Sequence, residues 1–296
     1  MRDAPIHAAL VVNPASGKGR AARVADALES HLRAAGVEIS RAHVDAMDTL
    51  LGSGPPLTAV LLVGGDGTVH HALAALRRAG VPLWHVPTGT ENLIARELGH
   101  SARPESVLAA LRAGRTRALD LIEISPASGG SRTLAAIMLS VGPDAGVVAR
   151  LEASRSGPIT HASYLRPALA EAFAPALAPI SLWAEGRCIV ESRPGWLVVA
   201  NMRSFGARIN PCPDADPSDR VLDAMFLPAA STARVLLGMA CLRAGLTPPG
   251  ALRLRAREFT LLRGACPAQV DGEVFAEPWS LVTLRAVGEL SVLAPA

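Results

Sequence analysis

The stretch Val60-Leu61-Leu62-Val63-Gly64-Gly65-Asp66-Gly67-Thr68 constrains this chain more than any other. An unbroken apolar run that ends in glycines reads as a buried strand, and strands of that kind belong to parallel sheets with helices on each side. Ligands of such sheets bind beyond the carboxyl ends of the strands. There this sequence delivers glycines, one carboxylate and one hydroxyl. Glycines allow close backbone approach, so their N–H groups can reach phosphate oxygens, while Asp66 can act on bound magnesium directly or through water. A tight strand-to-helix turn with Asp66 near the helix start accounts for Gly and Asp, but less well for Gly64, Gly65, Asp66, Gly67 and Thr68 together. The spacing is neither Gly-x-x-x-x-Gly-Lys-Ser/Thr nor Gly-x-Gly-x-x-Gly, so two common nucleotide loops are excluded.

Two further segments end predicted strands in the same way. Pro87-Thr88-Gly89-Thr90-Glu91-Asn92 closes one strand and opens a helix, supplying the hydroxyl of Thr90 and a helix amino terminus, both suited to phosphate. Asn13-Pro14-Ala15-Ser16-Gly17-Lys18 follows the first strand, and Lys18 is the only lysine in the chain. It lies where a cation would meet a triphosphate, although a solvated loop lysine is the plainer alternative. Around these loops strands and helices alternate. Strands are expected at Ile6–Val12, Val37–Val44, Ala59–Val63 and Val81–Val86, and helices at Arg20–Ala35, Val69–Ala79 and Glu91–Leu98. That alternation predicts a doubly wound βαβ arrangement.

After about Asp120 the texture changes. Strand-like runs at Thr133–Val141, Ile180–Trp183, Trp196–Ala200, Val221–Phe226 and Phe259–Leu262 are separated by Pro- and Gly-rich turns, with helices expected at Tyr164–Phe173 and Ser231–Ala244. A chain of 296 residues accommodates two domains of ordinary size. Half of it is hydrophobic and 19% is charged, which suits packed cores and argues against disorder. No apolar stretch has the roughly 18 residues that a spanning helix needs, and Ala8–Val12 is too short for the core of a signal peptide. A cytoplasmic protein is expected, with peripheral contact at the inner membrane face left open. Cys188, Cys212, Cys241 and Cys266 are too scattered for a zinc site or a disulfide framework. A net charge of +3 is too small to argue for nucleic acid. The alternation Leu252-Arg253-Leu254-Arg255-Ala256-Arg257 puts three arginines on one strand face, either solvated or in contact with an anionic membrane.

The three loops, in this order and at these strand ends, resemble the diacylglycerol kinase catalytic-domain family, which includes sphingosine and ceramide kinases and bacterial lipid kinases. Gly64-Gly65-Asp66-Gly67-Thr68 looks like its nucleotide signature, and Gly89-Thr90-x-Asn92 with Arg96 like its second block. Further along, Gly142-Pro143-Asp144-Ala145 looks like the family's Gly-Phe-Asp-Ala segment. Pro213-Asp214-Ala215 through Asp219 and Leu222-Asp223 looks like its Pro-x-Ala…Asp-Gly-x-Leu block, and Asp271-Gly272-Glu273 matches its Asp-Gly-Glu. The resemblance implies an α/β Rossmann-like amino-terminal domain with a parallel sheet, over residues 1–120, to which a segment from about 285 to 296 is free to return. It implies a mainly antiparallel β-sandwich over residues 121–284 for the lipid substrate, and an ATP site in the cleft between the two.

It also implies roles. Asp66 and its glycines would hold Mg·ATP, with Asn13, Ser16, Lys18, Thr68, Thr90, Asn92 and Arg96 around the nucleotide. Glu273 would be the general base for a lipid hydroxyl, supported by Asp271. In bacterial members a structural magnesium is held by the aspartate of the Asp-Gly-x-Leu block, which points here to Asp219 with Asp216 and the Val221 carbonyl, the alternative being a solvated turn. The sequence departs from the pattern at Leu93, where an acid is usual, at Pro143, usually aromatic, and at Arg220, usually glycine. The implied activity is ATP-dependent phosphorylation of a lipid hydroxyl, as in diacylglycerol or a sphingoid base, in phospholipid metabolism. The lipid is met peripherally at a membrane surface, and a homodimer is left open. The alternatives are an NAD kinase-like enzyme with a soluble substrate, whose later Asn-x-Gly-x-x-Gly-Phe segment is not found here, and a non-catalytic nucleotide- or lipid-binding module.

Overall fold

The computed structural model describes residues 5–154, 161–275 and 280–296. By contacts the chain divides into two compact units, one of residues 1–119 and 289–296, the other of residues 120–288.

The first unit is built on a parallel sheet. β1 (His7–Val12), α1 (Arg20–Ala34), β2 (Glu38–His43), α2 (Met47–Ser53), β3 (Ala59–Gly64), α3 (Asp66–Ala79), β4 (Leu83–Pro87), α4 (Leu93–Leu98) and α5 (Pro104–Ala113) follow in order. The strands pair in parallel as β4-β3-β1-β2, and Val292 near the chain's end adds a parallel partner beside Leu83. β1 and β3 are buried at every position, which is why they appear in sequence as unbroken apolar runs. Ala8, Leu10 and Val12 with Ala59, Leu61 and Val63 pack against Leu28 and Leu32 of α1 and Val107 and Leu111 of α5. The intervening residues, Ala9 and Val11, Val60 and Leu62, are equally buried on the other face. Strand ends here are sharp because each apolar run stops at a residue that turns the chain, and three of the loops so formed are the ones singled out above.

The second unit starts partway along β5 (Thr116–Pro126) and continues through β6 (Thr133–Ala135), β7 (Met138–Val141), α6 (Pro143–Ala153), α7 (Leu165–Phe173), β8 (Pro179–Ala184), β9 (Arg187–Ala200), β10 (Leu222–Pro228), α8 (Thr232–Arg243), β11 (Leu252–Ala256), β12 (Glu258–Arg263), β13 (Ala268–Val270), β14 (Glu273–Val274) and β15 (Leu281–Leu293), whose last residues belong to the first unit. Its pairings are antiparallel. One layer runs β8-β12-β15 and the other β13-β7, β10 and β11, and β9 serves both: its first half pairs β8, its second half lies between β7 and β10. The switch falls near Gly195, where a Cβ would lie 2.6 Å from the Leu227 carbonyl and 2.7 Å from the Phe226 ring. Leu139, Val141, Leu197, Val199 and Phe226 from one layer and Ile180, Leu182, Phe259, Leu261, Val282 and Leu284 from the other share a single core. That is sandwich packing.

Several elements differ from expectation. Helix α3 starts at Asp66 rather than Val69, and the helices α2, α5 and α6 were not expected. The predicted strand Thr133–Val141 is broken into β6 and β7, because the N–H groups of Ala136, Ile137 and Met138 turn onto one carboxylate, that of Asp271. Among the described residues no helix is long and apolar enough to cross a membrane.

Candidate active site

Three loops leave the carboxyl ends of β1, β3 and β4 and lock onto one another. The N–H of Asn13 donates to the Val63 carbonyl at 3.0 Å, and its side-chain amide donates to Thr68 Oγ1 at 2.9 Å. Ser16 Oγ and Thr88 Oγ1 are 2.9 Å apart, while Arg20 donates to the Thr88 carbonyl. Asn92 closes its own loop, accepting from the Gly89 N–H and donating to the Gly89 carbonyl, both at 2.9 Å. Gly65 and Gly89 meet backbone to backbone: a Cβ on Gly89 would sit 2.7 Å from the Gly65 Cα. Gly89 has no room for a side chain and a Cβ on Gly65 would press on the Gly89 Cα at 3.1 Å, so the glycines serve this contact as well as any ligand.

Asp66 is the centre of the arrangement. Its Oδ2 accepts the Leu93 N–H at 2.9 Å and its Oδ1 accepts the Ile94 N–H at 3.0 Å, so it satisfies two of the orphan donors at the start of α4 and ties the second loop to the third. A carboxylate has about four acceptor sites, which leaves lone pairs on both oxygens. Lys18 and Arg96 are exposed, and Lys18 adopts left-handed backbone with φ 56°. Gly64 and Thr68 are buried, whereas Gly65, Gly67 and Thr90 of the same loops are half-buried. Leu93 is buried in the apolar interior. Its N–H serves Asp66, so the position usually acidic in the family contributes backbone rather than charge. Beneath the loops His85 Nε2 meets the Gly64 carbonyl at 3.1 Å, and His100 takes the His85 N–H on Nδ1 and holds the Leu293 carbonyl through Nε2. Sequence reasoning missed both histidines, which carry no motif.

In the second unit Asp271 is buried and left-handed at φ 52°. Its carboxylate accepts the N–H groups of Ala136, Ile137 and Met138 at 2.8, 2.8 and 2.9 Å. It therefore fixes the turn that presents Gly272 and the half-buried Glu273. Gln269 accepts the Gly272 N–H at 2.7 Å and donates to Asp144 Oδ2 at 3.0 Å, and Ser140 Oγ donates to Asp144 Oδ1 at 2.6 Å. Burial pushes the Asp144 carboxyl above its ordinary range, against the pull of hydrogen bonds from Ser140, Gln269, the Ala145 amide and the Trp196 indole. Gln269 thus links two acidic segments far apart in sequence, a role nothing in the sequence marked.

Asp216, Asp219 and the Val221 carbonyl are the groups expected around a structural magnesium, and both aspartate side chains have partners of their own. Asp216 Oδ1 accepts the N–H and the hydroxyl of Ser218, closing a turn on itself. Asp219 accepts the Val221 N–H and pairs with the guanidinium of Arg255, which also reaches Asp223 at 3.4 Å. The positive charge beside Asp219 is therefore an arginine, and among the described residues no cluster of three or more His, Cys, Asp or Glu side chains is set to hold a metal. Arg220 tolerates the position usually held by glycine by adopting φ 59°, with its N–H on Asp120 at 2.6 Å. Magnesium carried by a nucleotide is a different case: it keeps several waters and needs only one or two carboxylates besides the phosphates, which the free lone pairs of Asp66 fit.

Comparison with known proteins bears on this geometry. Residues 7–124 match the diacylglycerol kinase catalytic domain, and residues 137–293 match the YegS C-terminal NAD kinase beta sandwich-like domain. A diacylglycerol kinase of Mycobacterium tuberculosis (strain ATCC 25618 / H37Rv) is 30% identical over 233 residues, 76% of this chain and 74% of that protein. In structure, a putative diacylglycerol kinase from Bacillus anthracis str. Sterne superposes with a TM-score of 0.73 at 15% identity, covering 97% of each chain. An NAD kinase from Archaeoglobus fulgidus, solved in complex with ATP, reaches 0.56 at 16% identity, over 98% of this chain and 94% of its own. Fold and sequence together define a phosphotransferase of the lipid and NAD kinase type. The chain belongs to the diacylglycerol kinase catalytic-domain family.

Proposed function

We propose that this protein transfers the γ-phosphoryl group of ATP to the hydroxyl of a lipid such as diacylglycerol or a sphingoid base. The observation that carries the nucleotide half is the mutual locking of the three loops through Asp66, Gly65 and Gly89, which sets backbone N–H groups in a pre-organised cradle at the head of α3. Asn13, Ser16, Thr68, Thr90 and Asn92 shape that cradle, and the exposed Lys18 and Arg96 supply cations for the phosphates. Magnesium, when bound with ATP, would neutralise charge on the phosphates, held by the remaining lone pairs of Asp66. The acceptor hydroxyl is a poor nucleophile at neutral pH, and Glu273 is the carboxylate presented to take its proton, on a turn that Asp271 holds in place. Asp144 is the alternative base. Its raised pKa suits the task, but both of its oxygens are already engaged by Ser140 and Gln269.

The name of the Mycobacterium tuberculosis relative supports a lipid acceptor, and the match to an NAD kinase-like sandwich keeps a soluble acceptor as the second reading. Incubation of the purified protein with labelled ATP and either a total lipid extract or NAD separates them. Label in a chloroform-soluble product is the expected result, and label only in a dinucleotide would overturn the lipid reading.

A further inference from the structure

The second unit carries a concentrated apolar surface that its own core does not use. Leu165, Leu169 and Phe173 follow one another at i, i+4 and i+8 along α7 and are all exposed, Phe173 to 83%. Leu236, Leu237 and Met239 of α8 are exposed too, as is Leu246 just beyond it. The two helices meet where Thr232 Oγ1 reaches the Phe173 carbonyl at 3.4 Å, so their apolar residues belong to one surface. Helix α8 is apolar on both sides, since Val235, Gly238 and Leu242 are buried while Leu236, Leu237 and Met239 are exposed. A helix that rests on a sandwich and ends at water is polar on its outer face. This one is not.

The charges say what covers the surface. In the segments 161–176 and 229–252 the only acidic residue is Glu171, which is buried and bonded to Arg150 at 2.8 Å. The cations there are Arg166, Arg234 and Arg243. Arg234 donates to the carbonyls of Pro228 and Pro249, which position it without adding negative charge. A second copy of the chain is a poor partner, because an isologous contact would bring these arginines to a patch with no exposed acid. An anionic lipid surface matches both features. Leucine, methionine and phenylalanine enter the headgroup–acyl boundary, and arginine stems lie along apolar surface while their heads meet phosphate.

We infer that the exposed faces of α7 and α8 dock the second unit onto anionic bilayers. The inference rests on the lipid-kinase reading for its choice of partner. It moves the membrane contact away from the arginines of β11, of which Arg255 is paired with Asp219 and Asp223. Its test is vesicle co-sedimentation of the full chain without ATP, comparing phosphatidylcholine vesicles with and without phosphatidylglycerol. The parent protein, Phe173→Ser combined with Leu237→Ser, and Arg253→Ser are compared at equal melting temperature. The parent and Arg253→Ser should bind anionic vesicles, more weakly as salt rises, and the double variant should lose at least about tenfold in affinity. Equal binding by all three, or no binding by the parent, overturns the inference. So does a parent dimer, seen by gel filtration, that the double variant converts to monomer without change in vesicle binding. Turnover of a detergent-dispersed total lipid extract is measured in parallel. Its absence in the parent refutes the lipid-kinase reading, whereas normal dispersed turnover with unaltered vesicle binding by the double variant refutes only the docking surface.

Discussion

Asp66 and Glu273 are both acids of recognisable motifs, yet their surroundings give them different work. Asp66 holds two backbone amides of α4, so its removal should be felt in stability as well as turnover. Asp66→Asn keeps one acceptor and turns an N–H toward the other amide, at a cost of about 1–3 kcal/mol. Urea unfolding should show this loss beside a loss of kinase activity, and an unaltered midpoint would refute the bracing role. Asp271 is more deeply committed, with three amides on one buried carboxylate. Asp271→Asn should destabilise by about 2–3 kcal/mol. Glu273→Gln should leave the melting temperature in place and lower lipid phosphorylation at least about a hundredfold. Comparable turnover by the Gln variant would transfer the base to Asp144.

At the scale of elements, the antiparallel pair β10 and β11 shows a cation of the protein's own standing beside Asp223 of β10 and Asp219 of the loop before it. Asp223 faces Arg255 across the strands, and Arg255 continues to Asp219. Exhaustive chelation should therefore leave the melting temperature of the nucleotide-free protein unchanged. Arg255→Ala should lower it, and magnesium should then restore part of the loss, because two neighbouring carboxylates are left without their counter-charge. A fall in the parent's melting temperature on chelation would show a metal bound at Asp216 and Asp219. Two of the helices that were not expected, α5 and α6, carry proline in the first turn, as Pro104 and Pro143. That is a start signal legible in sequence. At Pro143 it was obscured by reading the residue only as a replaced aromatic.

Across the whole molecule the buried ionisable groups give the two units opposite responses to acid. Burial lowers the pKa of His85 despite the nearby Asp66 and the Gly64 carbonyl, and lowers that of His100 to about 3, so both are neutral in the folded first unit. The unfolded chain takes up their protons below about 6.5, hence stability is full above that value and falls as pH drops toward the folded value. For His100 the loss is about 1.4 kcal/mol per pH unit in that window, and His85 acts in the same direction. Asp144, with its raised pKa, acts with the reverse sign in the second unit: its contribution is present at low pH and lost as pH rises through the folded value. Trp84, stacked on His100 with ring centroids 4.1 Å apart, offers a fluorescence probe of the first unit. Its urea midpoint should fall between about pH 7 and pH 5, and His100→Gln should flatten that dependence.

What the amino-acid sequence determined by itself was periodic or punctuated. Unbroken apolar strands ending in glycine announced a parallel sheet and its loop edge, strand-like runs between Pro- and Gly-rich turns announced a second, strand-rich domain that the family resemblance made a sandwich, and short motifs singled out Asp66, Asp271 and Glu273. These features depend on neighbours within a few residues, and so they survive in a one-dimensional reading. The tertiary structure decided the partners of the polar groups. Whether the carboxylate of Asp66 faces a phosphate loop or the amides of α4, whether Asp219 meets a metal or Arg255, and whether Asp271 supports a strand or a turn are set by residues 27, 36 and about 135 positions away. A carboxylate buried by folding is bound to whichever donors the packed backbone brings within about 3 Å, because leaving a buried N–H or an anion without a partner costs more than any local preference supplies.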